Sequence, residues 1–248
     1  MNNTVIVIPT YNEVENIGRL VASIRSLVTA NIIVVDDNSP DGTGALLDNL
    51  AQKDPALHVI HRAKKLGLAA AYIAGLNVAL LSECDPIIQM DCDFSHNPKH
   101  LLEMITVSET SDLVIGSKYT AGGAVVGLNW WRAALSRYGN NYLSWTLSYR
   151  RHVKIHDFTS GYLCWRRSLL SKIDFTTITS DGYAFLIELK WQALQRTKLV
   201  TEIPIVFHDR VAGKSKLTPH IIREALRLPF HIRRKTTEDT NTKRGSLV

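Results

Sequence analysis

Ile88-Gln89-Met90-Asp91-Cys92-Asp93-Phe94-Ser95-His96 is the stretch on which the reading of this chain turns. An apolar run, Ile87 to Met90, reads as a strand and ends in two aspartates spaced i, i+2. In extended backbone that spacing sends both carboxylates to the same side. Two carboxylates at a strand's C-terminal end can hold a hard divalent cation. A cation so held can carry a diphosphate, and a metal-bound diphosphate is a good leaving group. The plainer reading is a polar strand end before a helix that starts at Asn97-Pro98. The surrounding sequence decides between them.

Working outward, short β-rich runs alternate with helical patterns. Val5 to Ile8, Ile32 to Val35, His58 to Ile60 and Leu113 to Ile115 read as strands. Glu13 to Val28, Thr43 to Lys53, Leu68 to Leu81 and Pro98 to Val107 read as helices, with Pro98 near the first helical position. Continuous apolar strands alternating with helices predict an α/β fold: a Rossmann-like, mostly parallel sheet with helices on both faces. In such sheets ligands bind beyond the C-terminal ends of the strands. Thr10-Tyr11-Asn12-Glu13, Asp36-Asp37-Asn38 and Asp91-Cys92-Asp93 all fall there.

The second half is less regular. Gly122-Gly123 is a flexible loop, and Trp130 to Tyr149 reads as a helix with Arg132, Ser136 and Asn140 on one face. Thr159-Ser160-Gly161 is a turn and Tyr162 to Trp165 a strand. Gly182 to Leu194 is a helix, and Leu199 to Phe207 a strand interrupted by Pro204. Residues 211–235 combine a basic loop with an amphipathic helix, and the polar tail 236–248 is expected to be disordered.

The chain's 248 residues suffice for one sizeable core, at 45% hydrophobic and 21% charged content. A net charge of +6 favours anionic partners. No nucleic-acid-binding motif accompanies that charge, and nucleic acid is set aside. Cys84, Cys92 and Cys164 are widely spaced and odd in number. They exclude a disulfide framework and a zinc site and fit a reducing compartment. No secretory leader is visible at Met1 to Val5. The longest apolar stretch, Leu68 to Leu81, is too short to span a bilayer.

Taken in order, the motifs resemble those of the family 2 glycosyltransferases with the GT-A fold, in particular the polyprenol and dolichyl phosphate mannose synthase group. They are Val7-Ile8-Pro9-Thr10-Tyr11-Asn12-Glu13, the run from Val34 to Thr43, Met90 to His96, and Gly116-Ser117-Lys118-Tyr119. Arg132 with Ser136-Arg137, Thr159 to Tyr162, Asp181-Gly182-Tyr183, and Arg210 with Gly213, Ser215 and Lys216 follow. The resemblance spans about residues 4 to 235, and puts the catalytic domain at 1–210.

The resemblance implies a division of labour. Pro9, Tyr11 and Glu13 line the nucleotide site, and Asp37 reads the base, since a carboxylate accepts hydrogen bonds from ring N–H groups. Asp93 ligates Mg2+ or Mn2+, Asp91 lies near the ribose or the metal, and Ser95 ligates weakly or through water where some relatives carry Gln. Cys92, also on the donor side, is read as a small apolar residue. Arg210 and Lys216 reach the diphosphate. An alcohol acceptor needs a general base. A phosphate monoester, with a second pKa of about 6, is already largely dianionic. Lys118, Arg132 and Arg137, with Ser136 as a hydroxyl donor, supply the charge-assisted hydrogen bonds such an acceptor wants. Lys118 stands where most of the family has Arg, keeping the charge without the bidentate fork. Asp157 orients an acceptor-side arginine or contacts the sugar, and Glu188 is a candidate for the sugar hydroxyls.

The expected activity is inverting transfer of a hexose, mannose from GDP-mannose, to polyprenyl phosphate. A glucosyl, galactosyl or amino-sugar transferase using another nucleotide-sugar is the alternative, followed by a non-catalytic nucleotide-sugar-binding subunit. The expected location is cytoplasmic, peripheral to a membrane through the 217–235 helix, with room for a membrane-anchored partner subunit.

Overall fold

The computed structural model describes residues 4–148, 153–208 and 227–234. Its first half follows the sequence pattern closely. Strand β1 (Val5–Thr10) pairs in parallel with β2 (Asn31–Asp36), and β2 with β3 (Leu57–His61). β4 (Ile87–Gln89) lies parallel to β1 on its other side. Helices α1 (Ile17–Leu27), α2 (Thr43–Ala51), α3 (Leu68–Leu81) and α4 (Leu101–Val107) connect them, α4 entered through a 3-10 turn at Pro98–His100.

Alternation along β1 sorts its side chains into two cores. Val5 and Val7 face one side with residues of α3 and α7 (Gly182–Leu194); Ile6 and Ile8 face the other with α1, α2 and α4. Gly75 lets α3 lie close on the sheet, since a Cβ there would stand 2.4 Å from Val7 Cγ1.

The second half departs from the simple alternation. β5 (Leu113–Ser117) is not a neighbour of β4. An antiparallel strand, β7 (Leu163–Trp165), runs between them. β8 (Val200–Pro204) is parallel to β5 and completes a seven-stranded sheet in the order β3-β2-β1-β4-β7-β5-β8. The run Leu199 to Phe207 does divide at Pro204, but its second part, β9 (Val206–His208), joins β6 (Ala124–Val126) in a separate parallel pair. Short elements without a periodic signature also appear: β6, α6 (Arg167–Leu170) and a 3-10 turn at Phe175–Thr177. The long helix α5 (Trp130–Ser148) precedes β7, and residues 227–234 form a helix, α8, whose Leu228 and Ile232 pack into the core shared by α5 and α7. The basic loop expected from 211 and the tail after 235 lie outside the described residues, as do Arg210, Lys216 and the first part of the 217–235 helix.

Candidate active site

The ends of β1, β2 and β4 are neighbours, so the three polar clusters share one rim. Each turns through a residue with positive φ: Asn12 at 60°, Asn38 at 62° and Phe94 at 61°. Asn tolerates this conformation; a bulky Phe does so at a cost. The loops after β1 and β2 are laced together. Asp36 accepts from Thr10 Oγ1 and from Ser39 Oγ and its amide, and Asp41 accepts from the amides of Val14 and Thr43. Glu13 N donates to Thr43 Oγ1. This lacing draws residues 13–16 into the site and explains why α1 begins at Ile17 rather than at Glu13.

On the donor side, Tyr11 is half-buried, with Lys65 Nζ 3.4 Å above its ring centroid. Pro9 is buried in β1 opposite Val35. Asp37 is buried, and its carboxylate accepts from Arg62 Nη1 at 2.9 Å and from the amides of Leu66 and Gly67 at 3.0 and 2.8 Å. Its visible work is to fasten the 62–67 loop, so any role toward a base shares the carboxylate with that loop.

The Asp91-Cys92-Asp93 segment is not extended. β4 stops at Gln89, and residues 90–97 form an irregular loop. The carboxylates are placed by specific bonds instead of by strand alternation. Tyr72 Oη, fully buried on α3, donates to Asp91 Oδ1 at 2.6 Å. Asp91 N donates to His96 Nδ1 at 2.8 Å, and Ser95 N to Asp93 Oδ1 at 3.1 Å. His96 therefore presents a lone pair at Nδ1. Burial lowers its pKa against the pull of Asp91 and Asp93, and it stacks on Tyr162 with centroids 5.0 Å apart. It is a neutral prop. Cys92 is buried in the core, and burial, followed by the charge of Glu13 and the two aspartates, pushes its thiol pKa up. It packs there as a small apolar residue. Ser95 is also buried, and its amide is the group on Asp93.

Among the described residues no group of three His, Cys, Asp or Glu forms a metal cage. Two half-buried carboxylates in a flexed loop suit a hard ion that takes its remaining ligands from substrate phosphate and water, the usual arrangement for Mg2+. The donor set fits such an ion on those terms.

Across β7 lies a second cluster. Lys118, just past β5, donates to Asp157 Oδ2 at 2.8 Å and Oδ1 at 3.1 Å, and to Thr159 Oγ1 at 3.3 Å. Asp157 is fully buried; burial alone would raise its pKa, but the Lys118 ammonium overrides this and holds the carboxyl below its ordinary value. Its amide reaches Glu202 Oε1, so Asp157 turns inward to Lys118. Phe207 of β9 lies 5.4 Å from the Lys118 ammonium. Tyr119 Oη donates to Ser136 Oγ at 2.7 Å, and the exposed Arg137 guanidinium stands 5.9 Å from the Tyr119 ring. Arg132, one turn before Ser136, stacks on Trp131 at 5.3 Å. Buried Asn140 closes the group: its Nδ2 donates to Thr159 Oγ1 and its Oδ1 accepts from the amides of Phe158 and Thr159. Glu188 is buried on α7. The structure thus brings Lys118, Ser136, Arg137 and Asp157 into one cluster, with Arg132 alongside.

Tyr72, His96, Asn140 and Lys190 support these groups, and the sequence assigns none of them a role. Asn140 carries a signal in its four-residue step from Ser136, and His96 in ending the Met90–His96 motif.

Residues 5–174 match the family described as Glycosyl transferase family 2. The polyprenol monophosphomannose synthase of Mycolicibacterium smegmatis is 44% identical over 226 residues, which cover 90% of this chain and 84% of that protein. The undecaprenyl-phosphate mannosyltransferase of Micrococcus luteus is 38% identical over 221 residues, covering 89% of each. Among solved structures, glucosyl-3-phosphoglycerate synthase from Mycobacterium tuberculosis, in complex with Mn2+, UDP and glucosyl-3-phosphoglycerate, superposes with a TM-score of 0.65 at 18% identity, covering 93% of this chain and 80% of that one. The mannosyltransferase PcManGT from Pyrobaculum calidifontis, in complex with GDP-Man and Mn2+, gives a TM-score of 0.56 at 16% identity, covering 94% and 64%. The motif order, the sheet and these likenesses agree: this chain is a member of glycosyltransferase family 2, with the GT-A fold.

Proposed function

We infer that the enzyme transfers mannose from GDP-mannose to the phosphate of a polyprenol, inverting the anomeric centre. The observation that carries this reading is the pairing of a carboxylate rim with a cationic cluster on α5, at opposite sides of β7. The names of the two curated relatives supply the mannosyl group and the polyprenyl-phosphate acceptor by analogy, and the Pyrobaculum mannosyltransferase of like fold binds GDP-Man.

In this reading a phosphate oxygen of the acceptor attacks the anomeric carbon, the bond to the donor diphosphate breaks, and GDP departs. No proton need be removed, because the acceptor is already an anion. Arg132, Arg137 and Ser136 hold the acceptor phosphate, and Lys118, tied to Asp157, shapes the floor beneath them. Tyr11, Glu13 and Asp37 hold the nucleoside end, and Asp91 and Asp93 would hold a Mg2+ or Mn2+ ion. That ion supplies charge stabilisation to the departing diphosphate. Arg210 and Lys216 are assigned to the same diphosphate, Glu188 to the sugar, and residues 1–210 to the catalytic domain.

A peripheral membrane position follows from the acceptor. Trp131, Tyr138 and Trp145 recur every seven residues on α5 and are 43%, 73% and 69% exposed, a stripe of rings with polar handles suited to a bilayer interface. Arg227 and Arg234 of α8 flank exposed Phe230. No helix among the described residues is long and apolar enough to cross a membrane. The three cysteines are free and buried, consistent with the reducing side.

The test is a panel of GDP- and UDP-sugars with a short-chain polyprenyl phosphate, run with and without chelator. Mannosyl transfer from GDP-mannose, lost with chelator and restored by Mg2+ or Mn2+, is expected. Transfer to a saccharide but to no polyprenyl phosphate overturns the acceptor assignment.

A further inference from the structure

Among the described residues, Lys190 is the one lysine whose full burial the family reading leaves unexplained. It lies on α7, fully enclosed, among the largest side chains the core hides completely. A methionine would fill the same space without taking a charge out of water. Its ammonium donates to Ser160 O at 2.5 Å, Phe158 O at 3.1 Å and Leu186 O, one turn back, at 3.4 Å. Three donors thus meet three backbone carbonyls, and among the described residues no carboxylate lies within ion-pair distance of it.

Phe158 and Ser160 bracket Thr159, and Asp157 precedes them. The same four residues carry the contacts that define the acceptor side. Asp157 holds Lys118; Thr159 Oγ1 receives both Lys118 and Asn140; Ser160 Oγ donates to Gly116 O. Asn140 grips this segment by the amides of Phe158 and Thr159, from α5. Lys190 grips it by the carbonyls, from α7. The turn is clamped from two helices, through opposite ends of its peptide groups.

We propose that Lys190 is a positioning residue for acceptor binding: it fixes the 158–160 backbone so that Asp157, Thr159 and Lys118 hold their places beside Ser136 and Arg137. The proposal rests on the acceptor assignment made above. Burial lowers the Lys190 pKa to about 7, with Asp157 opposing, Lys118 adding and Glu202 opposing. Glu202 is itself bonded to His156. A neutral amine offers one donor fewer, so the clamp weakens as pH rises through neutrality. The acceptor's own second ionisation, at a pKa of about 6, acts in the opposite sense, since it favours binding as pH rises.

Lys190→Met, measured against the wild-type enzyme, tests this. The variant is expected to raise KM for polyprenyl phosphate about tenfold, the scale of one charge-assisted hydrogen bond, with KM for GDP-mannose within about twofold and a melting temperature close to the wild type's, since relief of the buried charge offsets the stranding of Phe158 O and Ser160 O. Amide exchange in a peptide covering residues 157–161 should quicken. Between pH 6 and 8 the wild-type acceptor KM should rise, and the variant's should not. Wild-type kinetics and exchange in the variant overturn the proposal. So does a parallel loss of both substrates' binding together with melting temperature, which would mark Lys190 as a support of the fold alone. If the wild type transfers to no polyprenyl phosphate, the functional reading fails. The exchange arm then still decides the clamp: faster exchange at 157–161 supports it and unchanged exchange removes it.

Discussion

The two sides of β7 hold charge in different ways. After β1, β2 and β4 the aspartates are held mainly by neutral donors: amides of Leu66, Gly67, Ser39 and Ser95, and hydroxyls of Tyr72, Thr10 and Ser39. Asp37 also has a cation, Arg62, at hydrogen-bond distance. After β5 the central carboxylate, Asp157, is buried on the ammonium of Lys118. Neutral donors fix a carboxylate without cancelling its charge, so the first region keeps a negative potential that a divalent ion and its diphosphate can answer. An ion pair cancels itself. Anion binding in the second region therefore falls to Arg137 and Arg132, which are tied to aromatic rings rather than to acids. The donor side is arranged to receive a cation, and the acceptor side to receive an anion.

The largest effect should come from breaking the donor side. Asp93→Ala removes one of the two carboxylates, Asp91 and Asp93, assigned to the ion. Turnover should fall by about 100- to 1000-fold, the cost of losing one preorganised charge at a leaving group. The fold should survive, because the loop's anchors are Tyr72 and His96 on Asp91. Steady-state rates over a Mn2+ titration, with circular dichroism for integrity, check it. Retention of more than a tenth of the rate at saturating Mn2+ would remove Asp93 from the metal.

Asp157→Asn strikes the other region, and its signature is stability. Taking the charge from one member of a buried pair leaves Lys118 enclosed without its counter-charge, at a cost on the order of 3 kcal/mol. The pH dependence gives the sign. The carboxyl's folded-state pKa lies below the ordinary 3.8, so the stability it contributes is complete above that value and is lost as pH falls through the folded-state one. Melting of the wild type should therefore drop more steeply with acid below about pH 4 than melting of Asp157→Asn. Parallel curves would mean that the pair contributes nothing to folding.

The same contrast separates what was legible in the sequence from what was not. α3 (Leu68–Leu81) and α7 (Gly182–Leu194) have the bounds their patterns predict, because apolar composition and turn signals fix a buried helix locally. The parallel run β3-β2-β1-β4 follows from alternation of strands and helices. The antiparallel β7 is invisible to that logic: Leu163-Cys164-Trp165 is apolar whichever way it runs, and its direction is set by where α5 delivers the chain. At the rim, Asp91 and Asp93 are conspicuous, yet the strand ends before them and their geometry depends on Tyr72 and His96. Tyr72 reads as one more core aromatic on α3, and Lys190 as one more polar residue on α7. Charged or hydroxylated groups that work from inside the core leave no periodic trace, because their partners are distant in sequence.

Ser136→Ala should give the smallest effect, and it sharpens the comparison most finely. Its hydroxyl accepts from Tyr119 Oη at 2.7 Å, which leaves its own proton free to serve a phosphate. Tyr119 is partly buried, and burial raises its pKa to about 12, against the hydrogen bond to Ser136, so it remains a donor throughout the working range. Removing Ser136 Oγ costs one charge-assisted hydrogen bond to the acceptor, about 1.5 kcal/mol or roughly tenfold in acceptor KM, and strands the Tyr119 hydroxyl. The arginines should still bind the phosphate, so kcat changes little. A Ser136→Ala, Tyr119→Phe double variant removes both partners together. If the hydroxyl pair is only internal packing, the double variant should recover wild-type KM. If Ser136 meets the phosphate, the loss should persist, and initial-rate measurements across acceptor concentration separate the two.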